Sequence, residues 1–194
     1  MTLTLEIKRG NPVIVTRVAI VGLKGVGKSS LIYKMSGDYT LEKEIAMGFS
    51  VHSIQLDNIK FITYDLEADE HFRELVWPRF VKMVDIVIYV IDGSDRHHID
   101  ETLKCLTKIT KAVTNDQLLV VLINKVDLGT YIREERIMKV LKKYNRNCSN
   151  TIVSYISMLS SKSVTSVFYQ IVNHLKQYKL HGLNYSYRKK LAIY

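Results

Sequence analysis

Eight residues near the start of the chain, "GLKGVGKS" from Gly22 to Ser29, satisfy the pattern GxxxxGK[ST]. Glycines in such a loop let backbone N–H groups fold around a phosphate chain, Lys28 supplies a point charge toward the outer phosphates, and Ser29 offers its hydroxyl to magnesium. Lys24, Gly25, Val26, Gly27, Lys28, Ser29 and Ser30 are therefore the candidate phosphate-binding residues. Asp65 closes the run "FITYD", where a carboxylate can hold the same magnesium ion directly or through water. Farther on, "NKVD" places Asn124, Lys125 and Asp127 in the NKxD pattern. The Asp carboxylate, an acceptor only, can take two hydrogen bonds from the amino and ring N–H groups of guanine, a pair that adenine does not offer. The Lys125 stem can cover the base plane, and Asn124 can tie this loop to the glycine-rich one. "SML", Ser157, Met158 and Leu159, stands where a backbone N–H would meet the guanine oxygen.

These residues work only if they lie on neighbouring strand ends, and the elements around them predict that arrangement. "VIVTRVAIVG" is a β-branched strand running into the glycine loop, and "SSLIYKMSG" continues as a helix that stops near Gly37. "FSVHSIQL" and "IKFITYD" flank "DN" as a hairpin. A helical pattern follows from His71 to Met83, which Pro78 must kink or end. "VDIVIYVID" and "QLLVVLINKVD" are buried strands with a helix from about Ile99 to Val113 between them. "REERIMKVLKKY", "TIVSYIS" and "SVTSVFYQIVNHLKQY" complete the alternation as helix, strand and helix. Such alternation predicts an α/β fold of the P-loop type: a mostly parallel six-stranded sheet with one antiparallel hairpin strand, helices on both faces, and ligand sites at the strands' carboxyl ends. "TLTLEIK" alternates apolar and polar residues and adds an N-terminal strand within residues 1–10.

With 194 residues, 47% of them apolar, the chain fits one domain over 1–180, followed by a tail of 181–194. The net charge of +9 favours anionic partners, but no base-reading module accompanies it, so nucleic acid is not an expected partner. Cys105 and Cys148 lie far apart without CxxC spacing, which argues against a disulfide framework or a zinc site. The longest apolar runs are strand-length, and "MTLTLEIKRG" lacks the apolar core of a secretory signal, so a cytoplasmic location is expected. His97 and His98 read as a solvated helix start, not a metal site.

The order phosphate, magnesium, guanine, with "IVGLKGVGKSSLIYKM", "MGFSVHSIQLDNIKFITYD" and "VIDGSDRHHIDE", resembles the small GTPases of the Ras superfamily, and most of all their Arf/Sar branch, over about Thr16 to Tyr178. The resemblance implies a guanine-nucleotide-binding switch that uses GTP, GDP and magnesium. It also implies an exchange factor, an activating protein and effectors as partners, with a regulatory role in membrane-associated or intracellular trafficking. Four positions depart from that pattern. Ala46, in "IAMGFSV", stands where the branch has a threonine that ligates magnesium. "DLEAD" replaces DxGGQ, so that Glu67 and Ala68 fall on the two glycines; Ala68 keeps an N–H for the γ-phosphate, but its Cβ narrows the backbone's choice. Asp69 falls on the glutamine that orients water, and an ionised Asp is shorter, acceptor-only and negative.

Lys24 is the fourth departure, with two readings: a cation that stabilises the phosphoryl group, or a solvated side chain that blocks a partner's arginine finger. The second is preferred. Lys28 and Asp69 are thus the catalytic candidates, and slow intrinsic hydrolysis is the expectation; the other reading is a pseudo-GTPase that binds nucleotide without cycling. Between Arg73 and Asp92 the chain carries one residue more than the branch, which leaves Glu70 or His71 as an alternative neighbour of the attacking water. With Thr2 in second position and "LAIY" at the end, neither N-terminal myristoylation nor prenylation is expected. The tail interleaves Tyr185, Tyr187 and Tyr194 with Arg188, Lys189 and Lys190, which suits either peripheral contact with an anionic membrane or a solvated or partner-docked extension.

Overall fold

In the computed structural model the backbone is described for residues 5–8, 11–36, 42–46, 48–56, 59–129, 132–144 and 150–191, and the side chains for 14–36, 48–55, 59–129, 132–144 and 150–177. Continuous apolar runs such as "IVIYV" and "LLVVLI" belong to strands covered on both faces, and they form the centre of one sheet. Its strands are β1 Leu5–Lys8, β2 Asn11–Val21, β3 Glu42–Ala46, β4 Phe49–Leu56, β5 Ile59–Leu66, β6 Ile86–Asp92, β7 Leu118–Asn124 and β8 Thr151–Tyr155. The order is β3-β4-β5-β2-β6-β7-β8. β5, β2, β6, β7 and β8 are mutually parallel, whereas β4 runs antiparallel to β5 and β3 to β4.

The six expected strands are thus β4, β5, β2, β6, β7 and β8. The added N-terminal strand is β1, antiparallel to β2. Ile14 pairs with Leu5 on one side and Ile59 on the other, so β1 fills the flank of β2 that β6 does not reach. β3 was not expected from the sequence. Its "EKEIA" is mostly charged and gives no apolar period; only its ladder to β4 defines it.

The helices are α1 Lys28–Ser36, α2 Trp77–Phe80, α3 Ile99–Ala112, α4 Glu134–Tyr144 and α5 Ser161–Leu191. Phe61 meets Phe168 of α5 at 5.0 Å between ring centres, while Tyr64, three residues on and so on the opposite face, meets Phe80 of α2 at 5.0 Å. α1 packs with α5, and α3 packs with α2 and α4, giving a helical layer on each side. The helix expected to end near Tyr178 continues through Leu191; the tail's side chains, and Tyr194 altogether, lie outside the described residues.

Before Pro78 the helix changes gauge. Residues Phe72–Val76 form a π turn, in which the Trp77 N–H bonds back to the Phe72 carbonyl, five residues earlier. A π turn accommodates one more residue than an α turn. Trp77 then sits buried in the core.

Candidate functional site

The glycine loop leaves β2 and closes as the first turn of α1, where the Leu31 N–H bonds to the Gly27 carbonyl at 2.9 Å. Gly27 has φ +105°, and a Cβ on it would lie 2.5 Å from Asn124 Nδ2, so only glycine lets the two loops approach. Lys28 Nζ donates to the carbonyls of Gly22 and Leu23 at 2.9 and 3.1 Å. Burial lowers its pKa, and the Asp65 charge partly restores it. Lys24, Gly25, Ser29 and Ser30 are exposed, whereas Val26 is buried.

Ser29 Oγ donates to Asp65 Oδ2 at 2.8 Å. The first turn of α1 and the end of β5 therefore present a hydroxyl and a carboxylate together, 36 residues apart in sequence. Both are hard oxygen donors, the set that magnesium takes with phosphate oxygens and water, so these residues fit the ion.

On the base side, Asn124 is only 2% exposed and joins three segments. Its Nδ2 donates to the Val26 carbonyl at 2.8 Å, and its Oδ1 accepts from the Met158 N–H at 3.0 Å. Lys125 has φ 64°, the one non-glycine residue with positive φ among those described. Its Nζ pairs with Asp92 Oδ2 at 2.6 Å. Burial works to raise the Asp92 pKa, yet hydrogen bonds from Lys125 and Ser94 outweigh it and hold the carboxyl below the usual carboxylate range. Asp127 is exposed, with no hydrogen bond or ion pair among the described residues. Ser157 and Met158 are buried while Leu159 is 82% exposed, and the Leu159 N–H bonds to Ser157 Oγ at 3.2 Å.

A cavity of about 570 Å³ opens beside the glycine loop. Lys24, Gly25, Lys28, Ser29, Asp65, Ala68 and Asp69 line it, and Asn124, Lys125, Asp127 and Ser157 to Leu159 do not. Glu67, noted above as a departure from the family pattern, lines it as well, and so do Phe49, Ser50 and Leu66, which the sequence did not single out. The signal of these three lies in the hairpin register, which sets Ser50 opposite Asp65 and Phe49 opposite Leu66.

The loop after β5 is held by protein contacts. The Glu67 N–H donates to the Gly48 carbonyl at 3.0 Å, and Trp77 Nε1 donates to the Glu67 carbonyl at 2.9 Å. Asp69 Oδ1 accepts from the Phe72 N–H at 3.1 Å. Glu70 and His71 are exposed and line no part of the cavity. Ala46 ends β3 opposite Phe49; its side chain lies outside the described residues. His98 precedes α3 and pairs with Asp95 at 2.7 Å, at an exposed helix start.

A sequence model of the ADP-ribosylation factor family matches residues 10–175. The chain is 22% identical over 173 residues to the ADP-ribosylation factor-like protein alp41 of Schizosaccharomyces pombe, covering 87% of this chain and 91% of that protein. It is 29% identical over 115 residues to ADP-ribosylation factor F of Dictyostelium discoideum, covering 58% and 60%. In fold it is similar to the Arl6 BBS3 small GTPase from Trypanosoma brucei with bound nucleotide analogue GppNp, with a TM-score of 0.65 at 17% identity, covering 85% of this chain and 98% of that one.

Proposed function

The chain belongs to the ADP-ribosylation factor family of small GTPases, and from that premise we propose that it is a magnesium-dependent guanine-nucleotide switch that hydrolyses GTP to GDP slowly. It acts on membrane-associated or intracellular trafficking through protein effectors, with an exchange factor and an activating protein as regulators. The observation that carries this reading is the 2.8 Å bond between Ser29 Oγ and Asp65 Oδ2, which joins the magnesium-binding pair beside the cavity.

Lys28 and the loop N–H groups meet charge on the phosphate oxygens, and Asn124 fixes the glycine loop to the Met158 loop, so that phosphate and base are read in register. Asp127, exposed and without a partner among the described residues, is available to the guanine N–H pair. Ser29 and Asp65 would hold magnesium, which would supply a divalent charge to offset the phosphate oxygens. Hydrolysis requires in-line attack by water, and here Asp69 is an acceptor with one oxygen already committed to the Phe72 N–H. Slow turnover follows from that commitment.

No helix among the described residues is long and apolar enough to cross a membrane. The reading places the chain in the cytoplasm, with the basic tail as a peripheral contact to an anionic membrane surface.

The test is to extract the nucleotide from the purified chain and then follow added GTP with magnesium. Bound guanine nucleotide with slow release of phosphate is the expected result, and absence of guanine-nucleotide binding overturns the reading. Tight binding without turnover selects the second reading, a pseudo-GTPase interaction module. The protein-held Glu67 to Asp69 loop favours that alternative.

A further inference from the structure

The cavity reaches from the glycine loop to the loop after β5, and its charged lining is two lysines, Lys24 and Lys28, against three carboxylates, Asp65, Glu67 and Asp69. Asp65 is bonded to Ser29. Neither Glu67 nor Asp69 pairs with a cation among the described residues. From this we infer that Glu67 and Asp69 form an anionic wall that selects the diphosphate nucleotide over the triphosphate. The inference rests on the nucleotide-binding reading above and assigns the specificity of that same site.

A mobile carboxylate would swing into solvent when a phosphate arrived, so the wall discriminates only if it is fixed. Three bonds fix it. Glu67 is held at its N–H by the Gly48 carbonyl and at its own carbonyl by the Trp77 indole, and the Asp69 side chain is held by the Phe72 N–H. The Asp69 carboxylate therefore stays with the wall, whereas only the backbone of Glu67 is tethered and its longer side chain is exposed. Asp69 carries the larger share of the effect.

The loop N–H groups act on phosphates that both nucleotides possess and raise affinity without much discrimination, whereas the Lys28 charge also reaches a third phosphate and works against the wall. A third phosphate would add negative charge to the cavity that Glu67 and Asp69 also line, where neither carboxylate pairs with a cation among the described residues. Like charges several ångströms apart at a partly solvated site repel enough to shift an affinity ratio by about tenfold.

The experiment uses the full chain freed of nucleotide, with magnesium at fixed ionic strength, titrated calorimetrically with GDP and with the non-hydrolysable triphosphate GppNp. GDP is expected to bind at least about tenfold more tightly. In Glu67→Gln/Asp69→Asn the preference falls by about tenfold, mainly because GppNp binds better, and Asp69→Asn alone accounts for more of the change than Glu67→Gln. Asparagine caps a helix as well as aspartate, so the variant keeps its fold and isolates charge. Equal affinities in the natural chain, or a ratio that the double variant leaves unmoved, overturn the anionic wall while leaving nucleotide binding intact. Failure of both nucleotides to bind overturns the nucleotide-binding reading itself, and the wall with it.

Discussion

The Asp69 carboxylate accepts the Phe72 N–H at 3.1 Å while the Asp69 carbonyl accepts the Arg73 N–H at 3.0 Å, which makes Asp69 the N-cap of the helical stretch that begins at Glu70. At the position where a catalytic glutamine is expected by resemblance, the side chain serves the backbone. Asp69→Ala should cost about 1 kcal/mol of local stability, and Asp69→Asn only a few tenths. Hydrogen exchange of residues 70–77 measures this: the alanine variant should exchange faster there, with the asparagine variant close to the natural chain.

Restoring the family pattern with Ala46→Thr and Asp69→Gln should raise GTP turnover. Glutamine is not a good cap, so the gain should come with a loss of about 1 kcal/mol in stability. Single-turnover phosphate release and urea unfolding on the same variant test both halves. A flat rate would show that these two positions do not limit hydrolysis.

Gly48 and Phe72 join the turn before β4 to the π turn. Gly48 has φ +86°, and a Cβ there would overlap the Phe72 ring. Gly48→Ala should therefore destabilise the chain by more than the roughly 1 kcal/mol that a left-handed alanine costs, because the ring must also move. Phe72→Ala should relieve the overlap. In a double-mutant cycle followed by urea unfolding, the pair should couple by at least about 1 kcal/mol, whereas additive effects would show that the ring shifts freely.

Much of this was legible in residue types. Runs such as "LLVVLIN" can only be strands buried on both faces, and the alternation of "TLTLEIK" marked β1. The glycine-loop and NKxD spacings located their loops because phosphate and guanine constrain both composition and position. β3 was hidden because a charged segment shows no apolar period, and its pairing with β4 is a property of the ladder, not of its own sequence. The widened turn before Pro78 leaves no periodic trace in the sequence, and only the Trp77 N–H bonding back to the Phe72 carbonyl defines it. Asp69 carries two readings at once: by resemblance it stands at a catalytic position, and its bond from the Phe72 N–H makes it a cap, which residue type alone did not single out.

Asn124 is the most economical place to separate the two halves of the site. Asn124→Ala would leave the Val26 carbonyl and the Met158 N–H without their partner in a buried setting, costing about 3 kcal/mol in all. Asn124→Asp would keep an acceptor for Met158 but set a carboxylate against the Val26 carbonyl. Both variants should bind GDP more weakly in calorimetry, although neither changes a residue that lines the cavity. Unchanged affinity would mean that the two loops hold their places without the amide.

Lys28 tests whether the site is strained before nucleotide arrives. Burial lowers its pKa, with Asp65 only partly offsetting the loss, so the folded chain binds this proton less well than the unfolded chain does. The sign follows from linkage: at neutral pH the folded state bears the cost of a charged, partly buried lysine. Its contribution to stability rises with pH between the lowered folded value and the ordinary lysine value. Lys28→Met should therefore leave the nucleotide-free chain at least as stable at pH 7 by thermal unfolding, and should remove the rise in stability at alkaline pH. The same variant should lose the thermal shift that GDP and magnesium give the natural chain. A large loss of stability without nucleotide would show instead that the bonds from Lys28 Nζ to the Gly22 and Leu23 carbonyls hold the empty loop in shape.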